Sequence, residues 1–346
     1  MSKEARHATL YRTYRPATFA EVRGQAHVVD VLEKAIKNNK PAHAYLFSGG
    51  RGTGKTSVAR ILARELGVTD KDLYEIDAAS NTGVDDIREL REGVHTVPFE
   101  SPYKFYIIDE AHMLSRAAWN AFLKTLEEPP AHVIFVLATT ALEKVPDTIQ
   151  SRCEVYAFKQ PTRVMLAEAV ADIAKKEGYA LERSAAELVA LLAEGSFRDA
   201  LSILQKVLSV SDNKKIEVTE VEMVSGAPRS EMIRQLLSAI AKKDCTNALG
   251  VIQQAVSENM DARTLMKLLI HRMRVVLLLR SAPDLGHQLS HELTEADLAL
   301  ALELSKEAGV NSNTLRTLLE AYSQTAYAAV PHLPLELALI DICAAK

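Results

Sequence analysis

The sequence predicts an α/β domain built on a mainly parallel sheet, followed by two all-helical regions. Five short apolar runs alternate with helical patterns from residue 26 to about residue 160: AYLF, LYEI, FYIID, VIFVLATT and EVYAF. Strands that alternate with helices form parallel sheets that are covered on both faces. Beyond this region the apolar residues recur with helical spacing, so we expect no further strand.

The helical part of the chain divides at two prolines, Pro161 and Pro228. The residue before a proline disfavours the helical conformation, so both positions are suitable boundaries. We therefore predict domains at 1–160, 161–228 and 229–346. The middle domain is expected to hold three main helices, and the last domain five or six.

Composition limits the classes of protein that fit. The chain has 346 residues, of which 48% are hydrophobic and 25% charged, which is typical of globular domains and excludes disorder. A formal net charge of -4 excludes a uniformly basic nucleic-acid coat but permits a local basic surface. The richest apolar run, 265–280, is interrupted by three basic residues, so no segment is expected to span a membrane.

The three cysteines, Cys153, Cys245 and Cys343, lie far apart in the sequence. This spacing offers neither a disulfide framework nor a four-ligand zinc site, and it fits a reducing cytoplasm. His43 and His112 have no second ligand at metal-binding spacing, so we interpret them as core or strand-end histidines. We predict a cytoplasmic protein.

A phosphate-binding loop follows the first predicted strand. The segment GGRGTGKTS contains the pattern G-x-x-x-x-G-K-T, with an apolar strand before it and a helical pattern after it. Its amides turn towards phosphates, Lys55 reaches the β- and γ-phosphates, and the Thr56 hydroxyl binds Mg²⁺. The predicted nucleotide contacts in this segment are Gly49, Gly50, Arg51, Gly52, Thr53, Gly54, Lys55, Thr56 and Ser57.

Two later strands end in polar residues that suit nucleotide hydrolysis. FYIID ends at Asp109 and is followed by Glu110. Asp109 is predicted to bind nucleotide-associated Mg²⁺, and Glu110 to activate the attacking water. The alternative is a buried strand followed by acids at a helix N-terminus. VIFVLATT ends at Thr139 and Thr140, where a hydroxyl either senses the γ-phosphate or simply ends the strand.

Seven segments together resemble the AAA+ clamp-loader ATPases, and most closely the bacterial DNA polymerase III gamma/tau subunits. In chain order they are YRTYRPATFAEVRGQ, HAYLFSGGRGTGKTS, YEIDAASNTGVDDIREL, IIDEAHMLSRAAWNAFLKTLEEPP, LATT, IQSRC and GSFRDALSIL. The resemblance covers residues 11–210, and the helical remainder resembles the family's collar in length and character. It implies an AAA+ P-loop NTPase domain, a small helical lid domain and an all-α collar domain.

The resemblance also implies a function and partners. A clamp-loader ATPase binds and hydrolyses ATP with Mg²⁺ to open a sliding clamp and load it on primer-template DNA during replication. Its partners are other clamp-loader subunits, in a pentamer by the family pattern. No polymerase active site is expected in this chain.

The sequence departs from the gamma/tau pattern in two places. The four-cysteine zinc module usual after the P-loop helix is replaced by LARELGVTDKDLY, so no zinc is expected. This short interval is more similar to the small subunits of replication factor C, which stay an alternative. The chain also ends after the collar, which implies a gamma-type form or a shortened tau.

The resemblance assigns further roles to arginines. Arg152 in the SRC motif is implied to be an arginine finger that reaches a neighbouring subunit's nucleotide, the alternative being a surface salt bridge. Cys153 beside it is expected to be a small core residue. Arg198 in GSFRDALS is similar to sensor 2, which contacts the γ-phosphate of its own subunit; the alternative is an exposed helix residue.

The N-terminal arm is implied to hold the adenine. Arg15 and Pro16, followed by Val22, are expected to pack against the base and ribose. Arg12 and Tyr14 are equally suited to anchoring the arm.

DNA contacts are implied by the same resemblance. Asn81, Thr82 and Arg88 lie at the start of a predicted helix whose amides can bind a phosphate, and Lys124 lies on a later helix. The alternative is that they lie on solvated helix faces.

Two further functions stay open on the sequence. One is a non-catalytic scaffold similar to the delta-prime subunit, although the P-loop is intact. The other is a branch-migration helicase motor, which usually ends in a winged helix and fits the strand-free C-terminal region poorly.

Overall fold

The computed structural model describes residues 9–80, 90, 92–211, 213–285, 295–307 and 309–344. The chain forms two compact units. The first contains the chain up to Leu166 together with Ala193–Ser202, and the second contains Ala167–Leu192 and the residues from Ile203 onward. The domain boundaries at 160 and 228 stay a prediction.

The first unit is built on a five-stranded parallel sheet, which confirms all five predicted strands. In chain order the strands are β1 Ala44–Ser48, β2 Leu73–Asp77, β3 Lys104–Asp109, β4 Val133–Thr139 and β5 Glu154–Ala157. They lie side by side in the order β2-β3-β4-β1-β5. The carboxyl ends of β1, β3 and β4 are therefore neighbours, and Ser48 pairs with Thr139.

Helices cover both faces of this sheet. Among the described residues before 160, the helices include α1 Leu10–Thr13, α2 Ala26–Lys37, α3 Lys55–Glu65, α4 Arg116–Glu127 and α5 Asp147–Gln150. Alternate strand side chains enter opposite clusters: Tyr45 and Phe47 pack with α2 and α3, whereas Phe135 packs with α4. Phe122 of α4 meets the Phe135 ring edge-on, with 5.0 Å between the ring centroids.

Among the residues after 160 that the structure describes, the elements are helical apart from one small strand pair. In chain order the helices are α6 Arg163–Lys176, α7 Arg183–Leu192, α8 Phe197–Val210, α9 Val218–Ser225, α10 Ser230–Lys242, α11 Cys245–Ser257, α12 Ala262–Ser281, α13 Glu295–Leu304, α14 Ser312–Thr325 and α15 Leu333–Ala344. They confirm the predicted helical character. The expectation of no strand was wrong, since β6 Ala180–Leu181 pairs in parallel with β7 Lys215–Ile216. Strands of two residues are too short to show a period in the sequence.

The helices after residue 229 share one apolar core. Its fully buried side chains include Leu236 of α10, Leu269 of α12 and Leu335 of α15. Polar caps fix where these helices begin: the Asp261 carboxylate, for example, accepts a hydrogen bond of 2.7 Å from the Thr264 amide at the start of α12. None of the helices that the structure describes is both long and apolar enough to cross a bilayer.

A buried ionic cluster joins three of these helices. The side chain of Asp297 on α13 is only 4% exposed. One of its carboxylate oxygens lies 3.1 Å from Arg234 Nη1 of α10, and the other lies 2.8 Å from Arg272 Nη2 of α12. Ile233, Val275 and Leu300 line the space around this cluster. The carboxylate thus connects α10, α12 and α13 inside an otherwise apolar region.

A second buried carboxylate, Asp72, shapes a loop of the first unit. Its oxygens accept hydrogen bonds from the backbone amides of Phe99 (2.5 Å), Glu100 (3.0 Å) and Ser101 (2.9 Å). Burial alone would raise the pKa of Asp72, but the hydrogen bonds from Glu100, Phe99 and Ser101 outweigh it and lower the pKa to about 2. The folded loop therefore requires the ionised form.

Acid is expected to weaken the first unit through Asp72. Because the folded pKa lies below the unfolded value, the ionised carboxylate stabilises the fold above pH 4, and this contribution is lost as the pH falls towards 2. The loss from this one group is at most about 1.4 kcal/mol per pH unit. It can be measured by urea unfolding followed through the fluorescence of Trp119, which is buried in this unit.

The matched variants are Asp72→Asn and Asp70→Asn, since Asp70 is exposed two residues away. We expect a shallower decline between pH 4 and pH 2 for Asp72→Asn and an unchanged decline for Asp70→Asn. Parallel curves for all three proteins would show that Asp72 does not carry the effect.

Candidate nucleotide-binding site

The loop between β1 and α3 has a backbone that requires glycine. Gly52 and Gly54 have φ angles of 69° and 104°. A Cβ atom at Gly52 would lie 2.0 Å from the Ser196 hydroxyl, and one at Gly49 would lie 2.5 Å from the Phe158 carbonyl oxygen. The pattern of glycines is therefore a consequence of tight packing as well as of conformation.

Lys55, at the start of α3, folds back over this loop. Its Nζ donates hydrogen bonds to the carbonyl oxygens of Gly49 (2.7 Å) and Gly50 (2.9 Å), and the residue is only 6% exposed. Burial lowers the pKa of Lys55, and the nearby charges of Glu110 and Asp109 oppose this shift. The loop thus holds a buried ammonium group that can contact a phosphate.

Thr53 is also buried, and its hydroxyl donates to the Gly50 carbonyl oxygen at 2.9 Å. Arg51 at the tip of the loop is exposed, whereas Ser57 within α3 is half-buried.

Thr56 and Asp109 are brought together as predicted for a metal site. The Thr56 hydroxyl donates to Asp109 Oδ2 at 2.8 Å, and the other carboxylate oxygen accepts from the Glu110 amide at 3.0 Å. A hydroxyl and a carboxylate on adjoining elements supply the hard oxygen ligands that Mg²⁺ prefers. The residues present therefore fit Mg²⁺ bound together with a nucleotide.

Glu110 has a constrained backbone and an engaged side chain. Its φ and ψ angles are 47° and 41°, in the left-handed region that residues other than glycine rarely occupy. Thr140 donates its hydroxyl to Glu110 Oε2 at 3.1 Å. Such backbone strain is common at functional sites.

His112 lies in the same group of side chains. Its Nδ1 is 3.4 Å from Glu110 Oε2 and 3.1 Å from the Thr139 hydroxyl oxygen. His112 lies on a short 3₁₀ helix, Ala111–Met113, just after the end of β3, in keeping with the strand-end position expected for it, but it also belongs to the site. Its position two residues after Glu110 was the available signal. His43, by contrast, is exposed and directly precedes β1.

Gln25 is a site residue that the sequence reasoning missed. It is fully buried, and its Nε2 donates to the carbonyl oxygens of Thr53 (3.3 Å) and Lys159 (2.7 Å). Its Oε1 accepts from the Lys159 amide at 3.1 Å. This side chain fastens the phosphate loop to the segment after β5. A glutamine before a helix carries no distinctive signal in the sequence.

The start of α8 is fastened to the same loop. The Phe197 amide donates to the Gly52 carbonyl oxygen at 3.1 Å, so the first turn of this helix is bonded to the loop backbone. Arg198 follows directly, and its guanidinium lies 4.8 Å from the centre of the Tyr11 ring. The structure thus brings Arg198 to the N-terminal arm.

The arm itself lies against the P-loop helix. The Ala17 carbonyl oxygen accepts a hydrogen bond of 2.7 Å from Arg64 of α3, and Val22 packs against the core cluster on that face of the sheet. Arg15 and Pro16 are half-buried.

Burial, followed by the charge of Arg60, lowers the pKa of Arg15, while the carboxylates of Glu75 and Asp109 oppose this shift. Arg12 is exposed, with its guanidinium 5.9 Å from the centre of the Tyr11 ring, and Tyr14 is half-buried.

Arg152 follows α5 and contacts α4 and α5. Its Nη2 donates to Glu127 Oε1 at 2.7 Å, and its Nη1 donates to the Thr148 carbonyl oxygen, also at 2.7 Å. The side chain is 35% exposed. Cys153 packs against the apolar core, and burial raises the pKa of its thiol to about 12, as suits a core residue.

Of the four residues predicted to contact DNA, one lies within the described part of the chain. Asn81, Thr82 and Arg88 lie outside the described residues, and Lys124 is exposed on α4. The roles of all these residues in binding and hydrolysis stay predictions.

Family models of the DNA polymerase III clamp loader match nearly the whole chain. The model described as "DNA polymerase III, delta subunit" matches residues 24–75 and 68–162. "DNA polymerase III clamp loader subunit, ATPase lid domain" matches 165–213, and "DNA polymerase III subunits gamma and tau domain III" matches 216–346.

Curated relatives agree with these models. The DNA polymerase III subunit tau of Bacillus subtilis is 37% identical over 96% of this chain and 63% of its own length. The gamma/tau subunit of Mycobacterium tuberculosis is 40% identical over 80% of this chain and 52% of its own. The chain belongs to the gamma/tau family of DNA polymerase III. The chain spans about half to two thirds of the length of these relatives.

The fold of this gamma/tau family member also occurs in a solved structure of another protein. Thermotoga maritima RuvB, a Holliday junction branch migration motor, aligns with a TM-score of 0.53 and 23% identity, over 66% of this chain and 79% of its own. At this identity the likeness shows the fold alone. The predicted α/β fold class, a domain with a parallel sheet followed by a helical lid domain and further helices, is confirmed.

Proposed function

We propose that the chain is an ATP-hydrolysing subunit of a clamp loader, which uses ATP to open a sliding clamp and load it on primed DNA. The observation that carries this proposal is the Thr56–Asp109 contact of 2.8 Å beside the buried Lys55 and the engaged Glu110. A scaffold subunit without hydrolysis would not require these groups to converge. The family membership supports the choice of clamp loading over branch migration.

Each side chain of the site has a task in this proposal. Lys55 exchanges its hydrogen bonds with the loop carbonyls for contacts with the β- and γ-phosphates, and the loop amides bind the same oxygens. Thr56 and Asp109 would hold Mg²⁺, which neutralises phosphate charge when bound. Glu110 orients a water molecule and accepts its proton, and the threonine hydroxyls at the end of β4 align that water.

Completion of the site requires a second subunit. Arg152 donates hydrogen bonds to Glu127 on α4 and to Thr148 on α5, and its side chain is partly exposed. This position suits an arginine finger that contacts the nucleotide of a neighbouring subunit. Arg198, bonded through its helix start to the phosphate loop, acts within its own subunit. We propose that this dependence on neighbours makes hydrolysis conditional on assembly with other clamp-loader subunits, the clamp and DNA.

The test is ATP hydrolysis by the chain reconstituted with clamp-loader partner subunits. We expect slow turnover by the isolated chain and an increase of about tenfold or more when clamp and primed DNA are both present. A Lys55→Ala variant is the control for contaminating ATPase. Tight assembly without nucleotide binding by this chain would identify it as a scaffold instead, and stimulation by four-way DNA junctions in place of clamp and primed DNA would identify a branch-migration motor.

A further inference from the structure

Four side chains lie together at the carboxyl ends of β3 and β4, as two hydrogen-bonded pairs, Thr140–Glu110 and Thr139–His112, with 3.4 Å between Glu110 Oε2 and His112 Nδ1. Glu110 Oε2 accepts from the Thr140 hydroxyl and faces His112 Nδ1, which also faces the Thr139 hydroxyl oxygen. Thr139 Oγ1 in turn accepts from the Ala141 amide at 3.0 Å. His112 is therefore the connection between Thr139 and Glu110.

Two of the arrangements that the donors and acceptors of this group allow at His112 differ in their effect on Glu110. Thr139 Oγ1 accepts from a backbone amide, and its one hydroxyl proton can be donated to one acceptor. In one arrangement Thr139 donates this proton to a bare Nδ1, and the imidazole carries its hydrogen on Nε2. In the other, Nδ1 carries the hydrogen and donates to Glu110 Oε2. The two arrangements exclude each other.

The surroundings keep the imidazole in place for this exchange. The side chain of His112 is 11% exposed, whereas that of Glu110 is 34% exposed. The Met113 amide donates to the Glu110 carbonyl oxygen at 2.8 Å, closing the short helix that carries His112. The backbone of Glu110 in the left-handed region fixes the direction in which its side chain leaves this turn.

We propose that His112 is a positioning residue that couples the Thr139 hydroxyl to the orientation of Glu110. With no nucleotide bound, Thr139 donates to Nδ1, and Thr140 alone holds the Glu110 carboxylate. When the γ-phosphate of ATP, or the water beside it, accepts the hydrogen bond from the Thr139 hydroxyl, Nδ1 takes up a proton from solvent and Nε2 releases one to solvent. The imidazole stays neutral and now donates from Nδ1 to Glu110 Oε2. The Glu110 carboxylate is then held by both Thr140 and His112 while ATP is bound. This inference rests on the proposed ATPase function.

The test compares two substitutions of His112. His112→Phe keeps the ring volume but removes Nδ1, and His112→Asn keeps a hydrogen-bonding group near the position of Nδ1. In the reconstituted assembly with clamp and primed DNA, we expect kcat for ATP to fall about tenfold or more in His112→Phe, since a base that is no longer held loses part of its contribution. His112→Asn is expected to retain kcat within about threefold. KM and the nucleotide Kd should stay within about twofold in both variants.

The control is His43→Phe, at the exposed histidine before β1, which should leave kcat and KM unchanged. A double-mutant cycle with Thr139→Val tests the coupling: His112→Phe should add little to the loss caused by Thr139→Val.

Three outcomes overturn the inference. They are an unchanged kcat in His112→Phe, an equal loss in the phenylalanine and asparagine variants, and additive losses in the cycle. An unsubstituted assembly that hydrolyses no ATP would instead defeat the proposed function, and the inference with it.

Discussion

Replacing Arg152 by alanine is expected to lower clamp- and DNA-stimulated ATP hydrolysis by about 10³-fold or more, with ATP affinity unchanged within about twofold. A guanidinium at the γ-phosphate stabilises the charge that spreads over its oxygens in the transition state. The expected loss corresponds to about 4 kcal/mol of barrier. ATP affinity is spared because the chain's own loop, Lys55 and Thr56 bind the nucleotide.

The contacts of the Arg152 side chain explain why its removal should affect hydrolysis and not folding. The ion pair with Glu127 and the hydrogen bond to Thr148 hold the guanidinium in one orientation on the surface. Both groups are accessible to solvent, so the pair itself stabilises the fold by less than about 1 kcal/mol. Removing Arg152 should therefore leave the folded subunit intact.

The measurement is steady-state hydrolysis of the reconstituted assembly, with nucleotide binding measured on the isolated subunit. Arg152→Lys should recover little activity, since an ammonium cannot reproduce the planar fork of donors. Arg183→Ala, at an exposed arginine at the start of α7, is the matched control. Parallel loss of nucleotide binding and turnover in Arg152→Ala would point to a folding defect.

Mixing two inactive subunits provides a test in trans. An assembly that contains both Arg152→Ala and Lys55→Ala subunits should recover part of the activity, because the second variant supplies a finger to the first. No recovery in mixed assemblies with two adjacent copies would place the action of Arg152 elsewhere.

Replacing Asp297 by alanine is expected to destabilise the second unit by about 3 kcal/mol. The carboxylate is buried between Arg234 and Arg272, so its removal takes away the anion that both guanidinium groups share in an apolar region, while Arg234 keeps its ion pair with Glu231. For a unit of this size the Tm of its transition should fall by about 6–12 °C. Scanning calorimetry of the full chain measures the shift.

The comparison for Asp297 uses Asp341→Ala, at an exposed aspartate on α15, which should shift the Tm by less than about 1 °C. A triple variant with Leu at 297 and Met at 234 and 272 should recover most of the lost stability, because apolar replacement of the whole cluster removes the desolvation cost of all three charges. Equal Tm values for Asp297→Ala and Asp341→Ala would show that the cluster contributes nothing to stability.

The fold was largely predictable because its signals are local and repeated. Five apolar runs, each beside a helical pattern, were sufficient to predict the parallel sheet, and the glycines around Lys55 indicated the loop. The strand order, which sets Thr139 beside Ser48, came from pairing between distant segments. No local pattern encodes such pairing, as the two-residue strands β6 and β7 also illustrate.

The candidate site was predictable where chemistry demands a particular residue at a particular spacing. Thr56 and Asp109 meet as expected, since each ends or begins an element at the same edge of the sheet. Gln25 escaped prediction because its importance comes from the two backbone segments that it joins, which come together only in three dimensions. The strand-end position of His112 was expected, but its contacts with Thr139 and Glu110 depend on the pairing of distant strands.

The bond between the Phe197 amide and the Gly52 carbonyl oxygen has a mechanical consequence. The donor belongs to the first turn of α8 and the acceptor to the loop backbone, so neither depends on a side chain that a substitution could remove. A shift of the loop at Gly52 must therefore either carry the first turn of α8 with it or break this bond.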